Sequence, residues 1–102
     1  MSFPVKLLLR WDVPNGSEAD YSEFIVNEFI PRLQRAGIAD VQFWYTSFGD
    51  CEKIQVELVA DQKEKMNNIL RSDEWTSLHE RLGDLVTNFS QKLVRATGGI
   101  QI

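Results

Sequence analysis

The stretch SDEWTSLHERL, residues 72–82, places the chain's only histidine, His79, four residues after Trp75. At helical spacing the two side chains share one face, one turn apart. A histidine can accept a proton near neutral pH, and an indole beside it can hold a flat molecule against the imidazole. Glu80, the adjacent carboxylate, would point away from His79 on a helix, so a local orienting acid is missing. The same pair also reads as a core tryptophan with a histidine at its rim, and both readings stay open. Tyr45 offers a phenolic tip on a candidate strand. Trp11, Phe43 and Trp75 are candidate walls for an apolar or aromatic ligand, with His79 and Tyr45 as the groups that would move protons.

Other chemistries are not spelled. There is no GxSxG, P-loop, GxGxxG or HExxH pattern. One histidine and one cysteine, Cys51, far apart in sequence, give no clustered ligands, so no metal is expected, and no cofactor is called for. Cys51 in the polar FGDCEK context reads as a turn residue in a reducing compartment. Fifteen acids against eleven Lys and Arg leave a formal charge of −4, which disfavours nucleic acid and anionic membrane as partners. No run approaches the ~20 apolar residues of a membrane span. The opening MSFPVK lacks the layout of a signal peptide, so a cytoplasmic protein is expected.

These side chains must be positioned by one domain covering residues 1–102, with neither repeat nor linker. VKLLLRWDV, residues 5–13, alternates as a strand, and Pro14-Asn15-Gly16 ends it. Ser17 is placed to cap a helix, with Asp20 three residues on. Tyr21, Phe24, Ile25, Phe29 and Leu33 then recur at helical period, with Gly37 as the stop. Pro31 lies inside this pattern, so a kink or break near 28–30 is expected, with a last turn restarting at Pro31. Residues 39–48 and 52–60 read as a hairpin around Gly49-Asp50. Asp61, with Glu64 three residues later, signals another helix start, and Ser72 a second. Phe89 and Leu93 extend the helical period, yet KLVRAT suits a strand, which is favoured over about 90–97.

The order β-α-β-β-α-β specifies an α+β, ferredoxin-like arrangement: a four-stranded antiparallel sheet with helices on one face. Leu7, Leu9, Trp11, Phe43, Tyr45, Ile54, Val56 and Leu58 are expected toward the helices. The opposite set mixes Leu8, Trp44, Phe48 and Val59 with Arg10, Gln42, Thr46, Gln55 and Glu57. That is too apolar for a plain solvated face and too polar for a core. A two-fold homodimer through this face is the simplest solution, with Arg10 and Glu57 as a cross-strand pair.

Three stretches carry a likeness to a known group. YSEFIVNEFIPRLQRAGI is an aromatic first helix with a proline near its end. VQFWYTSFGD is an aromatic second strand and hairpin. ILRSDEWTSLHERLGDLV is a short helix, a cap and a tryptophan opening the last helix. Together they resemble the dimeric α+β barrel superfamily: the antibiotic-biosynthesis-type monooxygenases, the EthD-like proteins and the NIPSNAP-like proteins, the last nearest in the third stretch. The resemblance implies a homodimer whose sheets close a barrel. It also implies a cleft between sheet and helices in each subunit, and activities that include cofactor-independent oxygenation of polycyclic phenols, lactone isomerisation and haem degradation. Haem degradation would need an asparagine on the first strand, which VKLLLRWDV lacks, and a tryptophan and histidine further apart than Trp75 and His79.

The expectation is therefore a small homodimer taking a small apolar or aromatic molecule in a sheet–helix cleft, as a monooxygenase- or isomerase-like enzyme without a bound cofactor. The alternative is a non-catalytic dimeric binding or assembly module of NIPSNAP-like type.

Overall fold

The alternation in VKLLLRWDVP sets the middle of the molecule. In the computed structural model, which describes residues 3–48 and 51–96, strand β1 (Val5–Pro14) buries Val5, Leu7, Leu9, Trp11 and Val13 on one side. It pairs antiparallel with β3 (Cys51–Ala60) and with β4 (Thr87–Arg95), while β2 (Asp40–Phe48) pairs with the other side of β3. The four strands thus stand in the order β2-β3-β1-β4, the α+β ferredoxin-like sheet expected from the sequence. The Gly49-Asp50 turn and residue 97 lie outside the described residues. Cys51 is the first residue of β3 rather than part of a turn.

Among the described residues, four α-helices cover the face that β1 buries: α1 (Glu18–Phe24), α2 (Ile30–Ala36), α3 (Lys63–Leu70) and α4 (Asp73–Gly83). The kink or break expected near residues 28–30 takes the form of a slipped ladder, and the helix restarts as α2 at Ile30 with Pro31 in its first turn. Ile25–Phe29 form one wide π-helical turn between α1 and α2, closed by the Ile30 N–H on the Ile25 carbonyl, and the backbone stays right-handed helical throughout. A proline has no N–H to give and its ring crowds the carbonyl four residues back. The wide turn takes up one extra residue just before Pro31, so the ladder slips instead of breaking. α2 then stops at Gly37, whose φ of 120° suits glycine. The Ile38 and Gly37 N–H groups bond the Leu33 and Gln34 carbonyls (3.0 and 3.2 Å), and Ile38 is buried with Leu33.

Two expected caps differ. Ser17 precedes α1 without a side-chain cap bond; the Glu18 carboxylate accepts the Gly16 N–H instead (2.8 Å). α3 begins at Lys63 rather than at Asp61, which pairs with Lys65 at 3.1 Å. Ser72 does cap α4: its hydroxyl accepts the Trp75 N–H (3.2 Å) and donates to the Ile69 carbonyl (2.6 Å), pinning the two helices end to end.

β4 starts three residues earlier than the sequence suggests. Asp12 pairs with Thr87 and Arg10 with Ser90, so Trp11 faces both Asn88 and Phe89 across a β-bulge. Asn88 takes the left-handed conformation that the bulge needs (φ 56°), one that asparagine tolerates.

Candidate functional site

Between sheet and helices the molecule is filled by its own side chains. Trp11, Phe29, Leu33, Leu78 and Leu82 are almost completely buried. The single cleft expected to hold Trp11, Phe43, Tyr45, Trp75 and His79 together is therefore not formed. Trp11 is 1% exposed and spends its indole N–H on the Tyr21 hydroxyl (3.0 Å). It acts as a partition, and two clefts remain at opposite edges of the sheet.

The first lies between α4 and β4, has a volume of about 630 Å³, and is lined by Trp75, His79 and Phe89 with Thr76, Glu80, Ser90 and Gln91, so Glu80, expected to point away from His79, borders the same space. Its aromatic lining comes from a closed ring of contacts. Trp11 stacks on Phe89 (centroids 6.2 Å, 8°), and Phe89 meets His79 edge to face at 4.7 Å. His79 lies against Trp75 at 5.8 Å, Trp75 reaches Phe29 at 6.5 Å, and Phe29 returns to Trp11 at 6.1 Å. His79 is half-buried and is the outermost polar member of this ring. Trp75 is 6% exposed, so it supports the cleft floor more than it offers surface.

α4 is held in place by charges on its outer side. The Glu28 carboxylate accepts both guanidinium ends of Arg81 (3.2 Å each), and also Arg32, which donates in turn to Glu74. That contact with Arg32 holds the Glu74 carboxyl below its usual value. Such surface pairs add little stability but fix the approach of α4 to the first helix.

The second cleft, about 340 Å³, lies between the first helix and β2, with Tyr21, Ile25, Val26, Phe43, Tyr45 and Ile54 around it. Tyr45 has the register of a helix-facing residue, opposite Ile54, yet it is 68% exposed because the helices stop short of the edge strand. β2 and β4 are separated by two strands. At ~4.8 Å per strand this puts Tyr45 roughly 14 Å from the His79 side of the sheet. The structure thus brings Trp75 and His79 together, places Phe43 and Tyr45 elsewhere, and buries Trp11 between them.

The open face of the sheet carries a third groove, about 610 Å³, with Asp12, Lys53 and Asn88 at one end. Asn88 donates to Asp12 at 2.7 Å and Lys53 at 3.3 Å, and these contacts lower the Asp12 carboxyl from its usual value. The cross-strand Arg10–Glu57 pair does not form: Glu57 stands opposite Leu8 and binds Lys6 at 3.2 Å. Among the described residues no group of His, Cys, Asp and Glu is arranged to hold a metal ion, and no helix is long and apolar enough to cross a membrane.

Phe89 and Asn88 are the site residues that the sequence reading missed. The one available signal was the Thr87-Asn88 step before Phe89, since asparagine is a common occupant of the left-handed region.

No family model and no curated protein matches the sequence. Solved structures do match in fold. SnoaB, a cofactor-independent oxygenase from Streptomyces nogalater, aligns with a TM-score of 0.74 at 13% identity, over 98% of this chain and 99% of its own. An EthD family protein from Bacillus halodurans aligns at 0.68 and 18% identity, over 95% and 100%. A NIPSNAP family protein from Agrobacterium tumefaciens aligns at 0.64 and 13% identity, over 97% and 90%. The chain has the fold shared by these proteins, the group its sequence resembles.

Proposed function

We propose that this protein is a cytoplasmic homodimer that binds a small, flat aromatic molecule in the cleft between α4 and β4, with His79 as the proton acceptor. The observation that carries the reading is the placement of the only histidine, half-buried between Trp75 and Phe89 at the mouth of a cleft of about 630 Å³. Aromatic walls on two sides would orient a planar ring, and the imidazole would take a proton from an acidic phenol or an activated C–H. The resulting phenolate or carbanion would be the electron-rich species able to meet oxygen. SnoaB, of the same fold, is a cofactor-independent oxygenase, and that is the reaction class the cleft fits. Thr76, Ser90 and Gln91, which also line the cleft, would hydrogen-bond a substrate oxygen. In this reading Trp11 braces Phe89 from behind, while Tyr45 and Phe43 take no part in the chemistry.

Homodimerisation is proposed through the open face of the sheet. Trp44 is 47% exposed there, and Leu8, Val59 and Val94 elsewhere on the same face are half-buried, a mixture that suits an interface better than water.

A second reading, a non-catalytic assembly module, is favoured by one observation: the space between sheet and helices is full. Oxygen uptake with polycyclic phenols separates the two. Turnover by the wild type that His79→Gln reduces at least about a hundred-fold, in the range of general-base effects, supports catalysis. No uptake with any phenol, together with no binding, leaves the assembly module.

A further inference from the structure

On the open face the strand registers place side chains in rows. Lys6, Leu8, Arg10 and Asp12 of β1 stand beside Val94, Lys92 and Ser90 of β4 on one half. Asp40, Gln42, Trp44 and Thr46 of β2 stand beside Val59, Glu57, Gln55 and Lys53 of β3 on the other. Lys53 and Asp12 neutralise each other across the midline at 3.3 Å. What remains is sorted by sign. Lys6, Arg10 and Lys92 lie on the β1–β4 half, and Glu57 and Asp40 on the β3–β2 half. Lys6 occupies one Glu57 oxygen at 3.2 Å, and among the described residues Asp40 accepts only the Gln42 amide at 3.1 Å. Arg10 and Lys92 have no carboxylate partner among the described residues.

We infer that this face is charge-complementary to itself and that its partner is a second copy of the chain in one register: Arg10 and Lys92 against the second copy's Glu57 and Asp40. The inference rests on the proposed homodimer and specifies how it is built. Two-fold packing with aligned strands lays β1 and β4 of one copy on β3 and β2 of the other. Each cationic half then meets an anionic half, twice over. A guanidinium covered by a second sheet without an acid would be strongly unfavourable, and Glu57 has an oxygen to spare. Half-buried Leu8 stands in the row of Glu57 and Lys92, and exposed Trp44 in the row of Arg10, where they would be desolvated by the same contact.

Two charge-reversed variants test this in the full chain. Arg10→Glu/Lys92→Glu makes both halves acidic, and Asp40→Lys/Glu57→Lys makes both basic. Sedimentation of the wild type should show a dimer. Each variant alone should be monomeric, its self-association weakened at least about a hundred-fold, as expected for losing close charge pairs and gaining repulsion. An equimolar mixture should regain a dimer that native mass spectrometry identifies as one copy of each, because every half again faces its opposite. Variants that dimerise as tightly as the wild type, or a mixture that stays monomeric, would overturn the register while leaving a dimer. A monomeric wild type would overturn the dimer as well. Should a double variant fail to fold, Arg10→Gln and Glu57→Gln carry the same test. Each should weaken the dimer, and the pair by less than the sum; additive effects overturn the contact.

Discussion

The Phe89 ring meets the His79 imidazole edge to face at 4.7 Å while its own face stacks on Trp11. One residue of an edge strand thus links the buried centre of the core to the imidazole at the cleft. Phe89→Ala should remove the cleft wall and the Trp11 stack together. We expect a loss of about 2–3 kcal/mol in urea unfolding, at the low end for a large-to-small change because Phe89 is only half-buried. Ligand binding should be lost in the same variant.

His79→Gln should act differently. His79 is half-buried and among the described residues makes ring contacts only, so stability should fall by less than about 1 kcal/mol. A phenol titration followed by tryptophan fluorescence should retain binding, while any oxygen uptake should collapse. A melt lowered as much as that of Phe89→Ala would instead make His79 a packing residue.

Asn88 tests the bulge that aims Phe89. Its φ of 56° is costly for a residue with an ordinary side chain, by roughly 1–2 kcal/mol. Asn88→Ala should lose about that much, together with the bond to Asp12. Asn88→Gly should stay within about 1 kcal/mol of the wild type, because relief of the backbone offsets the lost bond. Equal losses in the two variants would show that the backbone is not strained there.

Much of the fold was legible because its signals are local and periodic. β1 alternates cleanly, Ser72 sits one residue before an acidic turn, and Gly37 ends a helical run. At Pro31 the interruption was legible but not its form, since a break and a slipped ladder have the same sequence pattern. The site was half legible. Trp75 and His79 are neighbours on one helix, so spacing alone joined them. Tyr45 has the strand parity of that cleft, but parity gives a face and not a position across the sheet. Trp11 has the parity of a wall, yet the packing of Phe29, Phe89 and Tyr21 around it decides that it is sealed.

Acidification should act through the two carboxyls that are held low. Asp12, bonded by Asn88 and Lys53, and Glu74, bonded by Arg32, both have folded values below their unfolded ones. Their stabilisation is present above the ordinary values of 3.8 and 4.5, and is lost as pH falls through the lower folded values. The thermal midpoint should therefore drop as pH falls below about 4.5, and Glu74→Gln should shrink that drop while lying below the wild type near neutrality. A variant whose acid-side curve parallels the wild type would remove Glu74 from the account.

The central claim, an aromatic ligand seated between α4 and β4, is tested most directly by nuclear magnetic resonance. A hydroxylated polycycle would be titrated into the protein while the His79 imidazole, the Trp75 indole and the Tyr45 ring are followed. Saturable shifts at His79 and Trp75, with Tyr45 unmoved roughly 14 Å away across the sheet, are the predicted result. Shifts centred on Tyr45 and Phe43, or no shifts anywhere, would contradict it.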